Sequence, residues 1–572
     1  MRSSLLALAI LAAGAFPASG DAPPSPVLEA MKQELERSLA VLGKEPQPPY
    51  YLSYEITDSH RYRVAAAFGS ITASEESRHR WLDVDLRVGD YELDNTHQIR
   101  GGFDPSDFAD RFRRVAVPLA DDADAIRSVL WYQTDERYKR ARERLTRVKT
   151  NVQVKVEEED RSADFSREPA ETYREPLATV ELDRAAWEEK LRAYTAPFSR
   201  YGVIYQAQAF VDAEAETRFF VNSDGSEIQV SQPRYRLFLY ALTKADDGME
   251  LPRYESYYAT SLAGLPDDAT VEAAVARMIE DLLALRQAPL VDPYAGPAIL
   301  SGRAAGVFFH EVFGHRVEGH RLKDEGDAQT FKKKIGEEIL PAGFSVIFDP
   351  TISSYHGFEL NGHYRFDNQG VRARPVKVVE NGVFKRFLMS RSPIEGFDHS
   401  NGHGRKQAGF QPVARQSNLL VEVADPLSPQ ELRRRLIELL EEQDKPFGLI
   451  FEDIQGGFTM TGRTIPNAFN VLPILVYRLY RDGREELVRG VDLIGTPLAA
   501  FSKVVAADTE VGVFNGTCGA ESGGVPVAAA SPALLVSQIE VQKKTKSQER
   551  APILPAPFAD EPEVAEPRRT KG

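Results

Sequence analysis

Gly306-Val307-Phe308-Phe309-His310-Glu311-Val312-Phe313-Gly314-His315-Arg316-Val317-Glu318-Gly319-His320 is the stretch on which the reading of this chain turns. Two histidines stand five positions apart, and a glutamate directly follows the first. Metal-binding helices of the His-Glu-x-x-His type space their histidines i, i+4, which stacks both on one face. At i, i+5 the two side chains diverge by about 140° around an ideal helix of 3.6 residues per turn. A π-bulge brings them back to one face, and such bulges gather at functional sites. Gly314, just before the second histidine, eases the distortion at a cost in helix propensity. The spacing therefore predicts a helix distorted near Gly314. Val307, Phe308, Phe309, Val312 and Phe313 mark it as buried, where two unsatisfied histidines and a glutamate are costly. The plainer alternative is a core helix that happens to contain histidines.

The chain has one cysteine, Cys518, in Gly516-Thr517-Cys518-Gly519, followed by Glu521-Ser522-Gly523-Gly524-Val525-Pro526-Val527. Glycines on both sides predict a loop whose backbone approaches something closely. Two histidines and a thiolate satisfy the rule that catalytic zinc keeps three protein ligands and one open position. A small buried hydrophobe is the commoner fate of a free cysteine.

At this point the chain resembles a known family. His310 to Gly319, read as HExxxHxxEG, is similar to the signature of the TldD/PmbA metallopeptidases, and the Cys518 segment, GTCG…VPV, is similar to their C-terminal cysteine motif. Further similar stretches lie between: Asp367-Asn368-Gln369-Gly370, Gly402-His403-Gly404-Arg405, Val488-Arg489-Gly490 and Leu493-Ile494-Gly495. The resemblance covers about residues 300–545 and is diffuse over 25–290. It implies one Zn2+ per chain, held by His310, His315 and Cys518, with Glu311 as general base. It further implies the branch that keeps the motif, as opposed to paralogues that lost it. Short or unfolded peptides are the implied substrates, and the implied assembly is a homodimer or a heterodimer with a paralogue. The family commonly has an aspartate after the Glu-Gly pair, where this chain has His320.

Other positions are open to two readings. Glu318 either orients a ligand histidine or pairs with Arg316 or Arg321. His320 is a substitute ligand, an outer partner of the ligands or a surface residue. His403 and Arg405, between glycines, either meet the substrate backbone or its terminal carboxylate, or form a polar turn. Gly456 and Gly457, within Asp453-Ile454-Gln455-Gly456-Gly457-Phe458, either offer an edge to which an extended peptide adds as a strand or form a simple turn. Two rivals stand beside the peptidase: a non-catalytic zinc-containing scaffold or partner subunit, and an enzyme using Cys518 as nucleophile with a histidine base.

At 572 residues the chain exceeds a single core, and 42% apolar with 27% charged residues suits a globular protein. A formal charge of −15 argues against non-specific nucleic-acid binding. Arg2, the apolar run Leu5 to Phe16 and Ala18-Ser19-Gly20 predict a signal peptide over 1–20, hence export to a periplasmic or extracellular compartment. No segment offers the roughly 20 apolar residues of a membrane span. One cysteine forms no internal disulfide.

The expected fold class is α+β. A mixed N-terminal region spans 21–290 and holds one or two subdomains; a strand-rich C-terminal domain carrying the motif helix spans 291–547; a disordered tail spans 548–572. Helices are expected over 25–42, 122–148 and around Val271 to Leu285. Strands are expected at Tyr51 to Ile56, Arg63 to Phe68 and Trp81 to Val88. Turns are expected at Asn222 to Gly225, Asn381-Gly382 and Asp482-Gly483. The basic run Arg137 to Lys149 is read as a solvated helix face.

Overall fold

The strand Ser70–Val88 alternates buried and open positions through Trp81 to Leu86, as its sequence alternation requires. It pairs antiparallel with Pro49–Ala67, setting Leu52 opposite Leu86. The computed structural model describes residues 22–99, 114–153, 160–323, 326–327, 329–459, 461–462, 469–544 and a few positions between 550 and 557. The expected signal peptide and most of the expected tail lie outside the described residues.

Pro49–Ala67 corrects one expectation, because Tyr51 to Ile56 and Arg63 to Phe68 are not separate strands. The polar residues between them continue the ladder, paired on one side with Ser70–Val88 and on the other with Ile204–Asn222. Charges matched across the strands make this possible: Asp58 with Arg78 and Arg80, and Arg61 with Asp212. The sheet continues through Glu227–Lys244 to Glu250–Ala259. The turn at Asn222 to Gly225 joins the strands on either side of it.

Among the described residues, four helices cover this sheet. Pro26–Leu42, capped by Ser25 Oγ on Leu28 N, and Ala123–Gln153 bury Met31, Leu35, Ile126, Leu130 and Leu145 against Tyr54 and Ile56. Arg184–Thr195 and Asp268–Gln287 form a second core with Leu191, Val271, Val275, Met278 and Leu282. The basic residues Lys139, Arg140, Arg147 and Lys149 are exposed.

In the C-terminal half the spine is Gly523–Lys543. Its first part pairs with Val504–Ala520 in a hairpin and with Asn418–Val423, and its second part with Val491–Gly495 and Tyr294–Leu300. Pairing runs from Tyr294–Leu300 through Phe447–Thr459, Phe469–Tyr480 and Val491–Gly495 back to the spine, closing a ring of five strands. Asn381 and Gly382, both with positive φ, make the expected tight turn between Val376–Glu380 and Val383–Phe384. The class is α+β, with helices on largely antiparallel sheets. Among the described residues, no helix is long and apolar enough to cross a membrane.

The motif helix, Gly302–Val312, leaves the strand Tyr294–Leu300 and is buried from Ala304 onward. Gly302, Gly306 and His310 fall four apart on one face. That face lies against the hairpin backbone: a Cβ at Gly302 would stand 2.3 Å from Gly512 N, and one at Gly306 2.6 Å from Ala529 O. Phe308, Phe309 and Phe313 pack among Phe331, Phe384, Phe469 and Phe501. Gly306→Ala is therefore expected to destabilise the protein by about 1–3 kcal/mol, the usual cost of overpacking; a lower denaturation midpoint at unchanged slope checks it.

Candidate metal centre

The helix does not widen into a π-bulge, contrary to expectation. It ends at Val312, and Gly314–Arg316 continues as a tighter 3-10 turn, with Arg316 N bonding Phe313 O and Val317 N bonding Gly314 O. Stopping and tightening the helix does what a bulge was expected to do. The His310 and His315 rings lie 5.2 Å apart at 77°. Gly314 is needed for a different reason from the one anticipated: a Cβ there would fall 1.9 Å from Gln416 Oε1. Gln416 in turn donates from Nε2 to His310 O (3.2 Å), and Arg316 Nη1 donates to Glu311 O (3.2 Å), so two side chains take up carbonyls at the helix end.

Cys518 reaches the histidines from the hairpin. It pairs with Val525 in register, and the chain turns at Glu521-Ser522. Cys518 Sγ lies 3.3 Å from His315 Nε2, and a ligand atom from each of His310, His315 and Cys518 falls within 4.8 Å of the others. All three residues are buried. Burial alone would push the thiol up, but His315 and His310 outweigh it and hold Cys518 well below its ordinary value. Two imidazole nitrogens and the sulfur of a low-pKa thiol form a donor set of the kind that holds zinc with one position open.

Glu318 lies at the centre of the surrounding charges and is fully buried. Its Oε2 meets His315 Nδ1 (3.1 Å) and accepts from Arg321 Nε (3.0 Å) and Nη2 (2.8 Å), while Arg415 Nε lies 3.3 Å from Oε1. Burial would raise its pKa, yet His315, Arg321 and Arg415 hold it at about 2. Of the two partners anticipated, Glu318 takes Arg321, and it also orients His315. His320 bonds Glu521 Oε1, and Arg321 Nη2 bonds Glu521 Oε2 (3.1 Å), tying the turn Gly319–Leu322 to the tip of the hairpin.

Glu311, 8% exposed, carries no side-chain hydrogen bond among the described residues. It lies against Gly457, where a Cβ would approach its Cγ to 2.8 Å. Gly456 and Gly457 belong to Phe447–Thr459, which pairs along one side with Phe469–Tyr480 but on the other with Tyr294–Leu300 only at Leu449 to Phe451. The stretch beside Glu311 therefore has one edge outside any ladder among the described residues. Asp453 is engaged with Arg253 and Arg303 and fixes the base of this edge.

The same donors and strands mark a family. A model of the PmbA/TldA metallopeptidase C-terminal domain matches residues 294–543, and one of the central domain matches 172–285. A metalloprotease of Methanothermobacter thermautotrophicus is 30% identical over 335 residues, which are 58% of this chain and 68% of that protein. This chain belongs to the TldD/PmbA metallopeptidase family. A zinc metalloprotease TldD homolog of Saccharolobus solfataricus is 24% identical over 44% of the chain, which spans 52% of that relative. Two solved structures share the family's fold. One, described as a candidate modulator of DNA gyrase from Thermotoga maritima, has a TM-score of 0.59 at 15% identity and covers 89% of this chain and 99% of its own. The other, TldE from Thermococcus kodakarensis, has a TM-score of 0.56 at 13% identity, covering 90% and 100%.

Other expected contacts of this TldD/PmbA protein fall differently. His403 is wholly buried, its Nε2 on Ser417 Oγ (3.1 Å) and its Nδ1 near Asn401 Oδ1 (3.1 Å); burial pushes it down to about 3. It braces a loop through these bonds, in keeping with the polar-turn reading of the two that its sequence left open. Arg405 lines a cavity that His310, Glu311, His315 and Cys518 do not line. Sequence reading missed Arg415, whose Nη2 donates to Cys518 O (2.7 Å) and whose Nη1 donates to Ser522 Oγ (2.7 Å). Its one signal is the polar run Arg415-Gln416-Ser417-Asn418, all wholly buried, just ahead of apolar Leu419 to Val421. Glu318→Gln is expected to lower Zn2+ affinity by about 10–100-fold, as loss of a partner to a ligand histidine does elsewhere; competition with a chromophoric chelator measures it.

Proposed function

We propose that the chain is an exported zinc peptidase that hydrolyses peptide bonds in short or unfolded peptides outside the cytoplasm. One observation carries the reading: the buried convergence of His310, His315 and Cys518 beside Glu311. The donor set fits zinc, and a relative named as a zinc metalloprotease supports that choice of metal. Zinc held there would supply a Lewis acid that lowers the pKa of water and polarises a carbonyl. The chain's own residues do the rest. Glu311 accepts the proton of the attacking water on its carboxylate and returns it to the leaving amine. Glu318 holds His315 by Nδ1, so the other ring nitrogen faces Cys518. The open edge at Gly456 and Gly457 receives an extended peptide by strand addition, which puts its backbone next to Glu311. Export rests on the N-terminal sequence, with its basic residue, short apolar run and small residues before Asp21.

Glu311→Gln is expected to abolish cleavage of a peptide library while about one zinc per chain is retained; unchanged cleavage sinks the reading in favour of a scaffold. Gly457→Ala is expected to lower kcat by about 100-fold with zinc kept, because its Cβ displaces Glu311.

A second reading draws on the 3.3 Å contact of Cys518 with His315, the arrangement of a thiol nucleophile and its base. Metal analysis separates the two. Zinc lost on His310→Ala together with activity supports the metallopeptidase, and full activity in zinc-free protein supports the thiol enzyme. We also propose that the chain pairs with a paralogue or a second copy, a reading that rests on its resemblance to the family. Light scattering at micromolar concentration is expected to give a dimer mass, and monomer alone counts against it.

A further inference from the structure

A cavity of about 740 Å³ separates the N-terminal sheet from the C-terminal domain. It is bounded by Thr57, Ser231 and Arg234 on one side and by Tyr364, Arg405 and Thr517 on the other. It reaches Thr517, next to Cys518, but none of the four residues of the metal centre lines it. Its volume is that of a small-molecule site.

The charge around it is unbalanced. Arg218, Arg234, Arg365, Arg405 and Lys406 all line it. Most of these cations already have anions: Arg234 with Glu216 (3.4 Å), Arg365 with Glu175 (2.9 Å), and Arg218 and Lys406 sharing Glu55. The Asp367 carboxylate accepts from three backbone N–H groups, of Gln369, Val371 and Gly404. Arg405 differs. It is 6% exposed, lies over the Tyr364 ring at 4.6 Å, and bonds through Nη1 to Gln416 O, a neutral carbonyl. No carboxylate pairs with it among the described residues. A guanidinium has five N–H donors in a fixed fork, and a buried cation without a counter-charge is costly. Burial and the like charges of Arg415, Arg234 and Arg218 bring Arg405 down to about 10.

We infer that this cavity is a second binding site, separate from the metal centre, for a small ligand bearing an oxyanion, which Arg405 grips through its unused N–H groups with Arg218 and Arg234 completing the positive wall. A carboxylate or a phosphoryl group supplies the matching planar or tetrahedral acceptor. Because Arg405 also holds Gln416 O, and Gln416 holds His310 O, Arg405 stands two hydrogen bonds from the motif helix and an occupant three.

Calorimetric titration of the zinc-loaded protein with inorganic phosphate and with glutarate, at ionic strength held constant with sodium chloride, tests the site. Saturable binding of at least one probe near one per chain is expected. Arg405→Gln should weaken it by about tenfold or more, and Arg405→Lys, which keeps the charge but loses the fork, should fall between. His310→Ala should leave it unchanged, which distinguishes this cavity from an anion held at the metal. Phosphate alone binding assigns a phosphoryl ligand, and glutarate alone a carboxylate such as a peptide terminus. Saturation by neither probe, wild-type binding in Arg405→Gln, or loss of binding in His310→Ala overturns the inference.

Discussion

The centre depends on a contact between two backbones. Gly302 and Gly306 let the motif helix settle onto Gly512 and Ala529 with no side chain between, and His310 continues the same face. With any larger residue at those two positions the helix would stand off the hairpin, and the distance between a histidine on one and a cysteine on the other would grow accordingly. The aromatic packing of Phe308, Phe309 and Phe313 on Phe469, Phe501 and Phe331 holds the same helix on its other contacts. The donor cluster is therefore positioned by packing before any charge is considered.

Electrostatics then complete what packing begins. A wholly buried carboxylate is unfavourable alone, and Glu318 is stable only because His315, Arg321 and Arg415 surround it. Arg415 also holds the hairpin through Cys518 O, and Arg321 reaches Glu521 at its tip. The motif segment and the cysteine hairpin are thus joined twice, once by van der Waals contact of backbones and once by a shared charge network.

How much of this is legible in the sequence depends on the range of the interaction. The helix at Pro26, the hairpin turn at Asn381-Gly382 and the amphipathic stripe of Asp268–Gln287 are local patterns and read directly. His310, Glu311, His315 and Cys518 stand out because rare residue types occur in an unusual arrangement. The spacing locates the helix distortion near Gly314 but points to the wrong form, since what shapes it is Gln416, about a hundred residues away. Pro49–Ala67 reads as two strands because its polar middle is matched by partners on strands that a local pattern does not include. Arg415 has only the polar run around it as a signal for the same reason: a buried arginine is identified by its partners more than by its neighbours in the chain.

His315 and Cys518 stand 203 positions apart, yet their side chains touch. Nothing in an unfolded chain brings such distant groups together, and closing so long a loop is entropically expensive until the intervening strands are in place. Any metal affinity of this donor set would thus be a late property, acquired only when the five-stranded ring has closed and the spine has found both its neighbours. The chemistry proposed for this centre would follow the same order, absent from every partly folded form and present only once the ring has assembled.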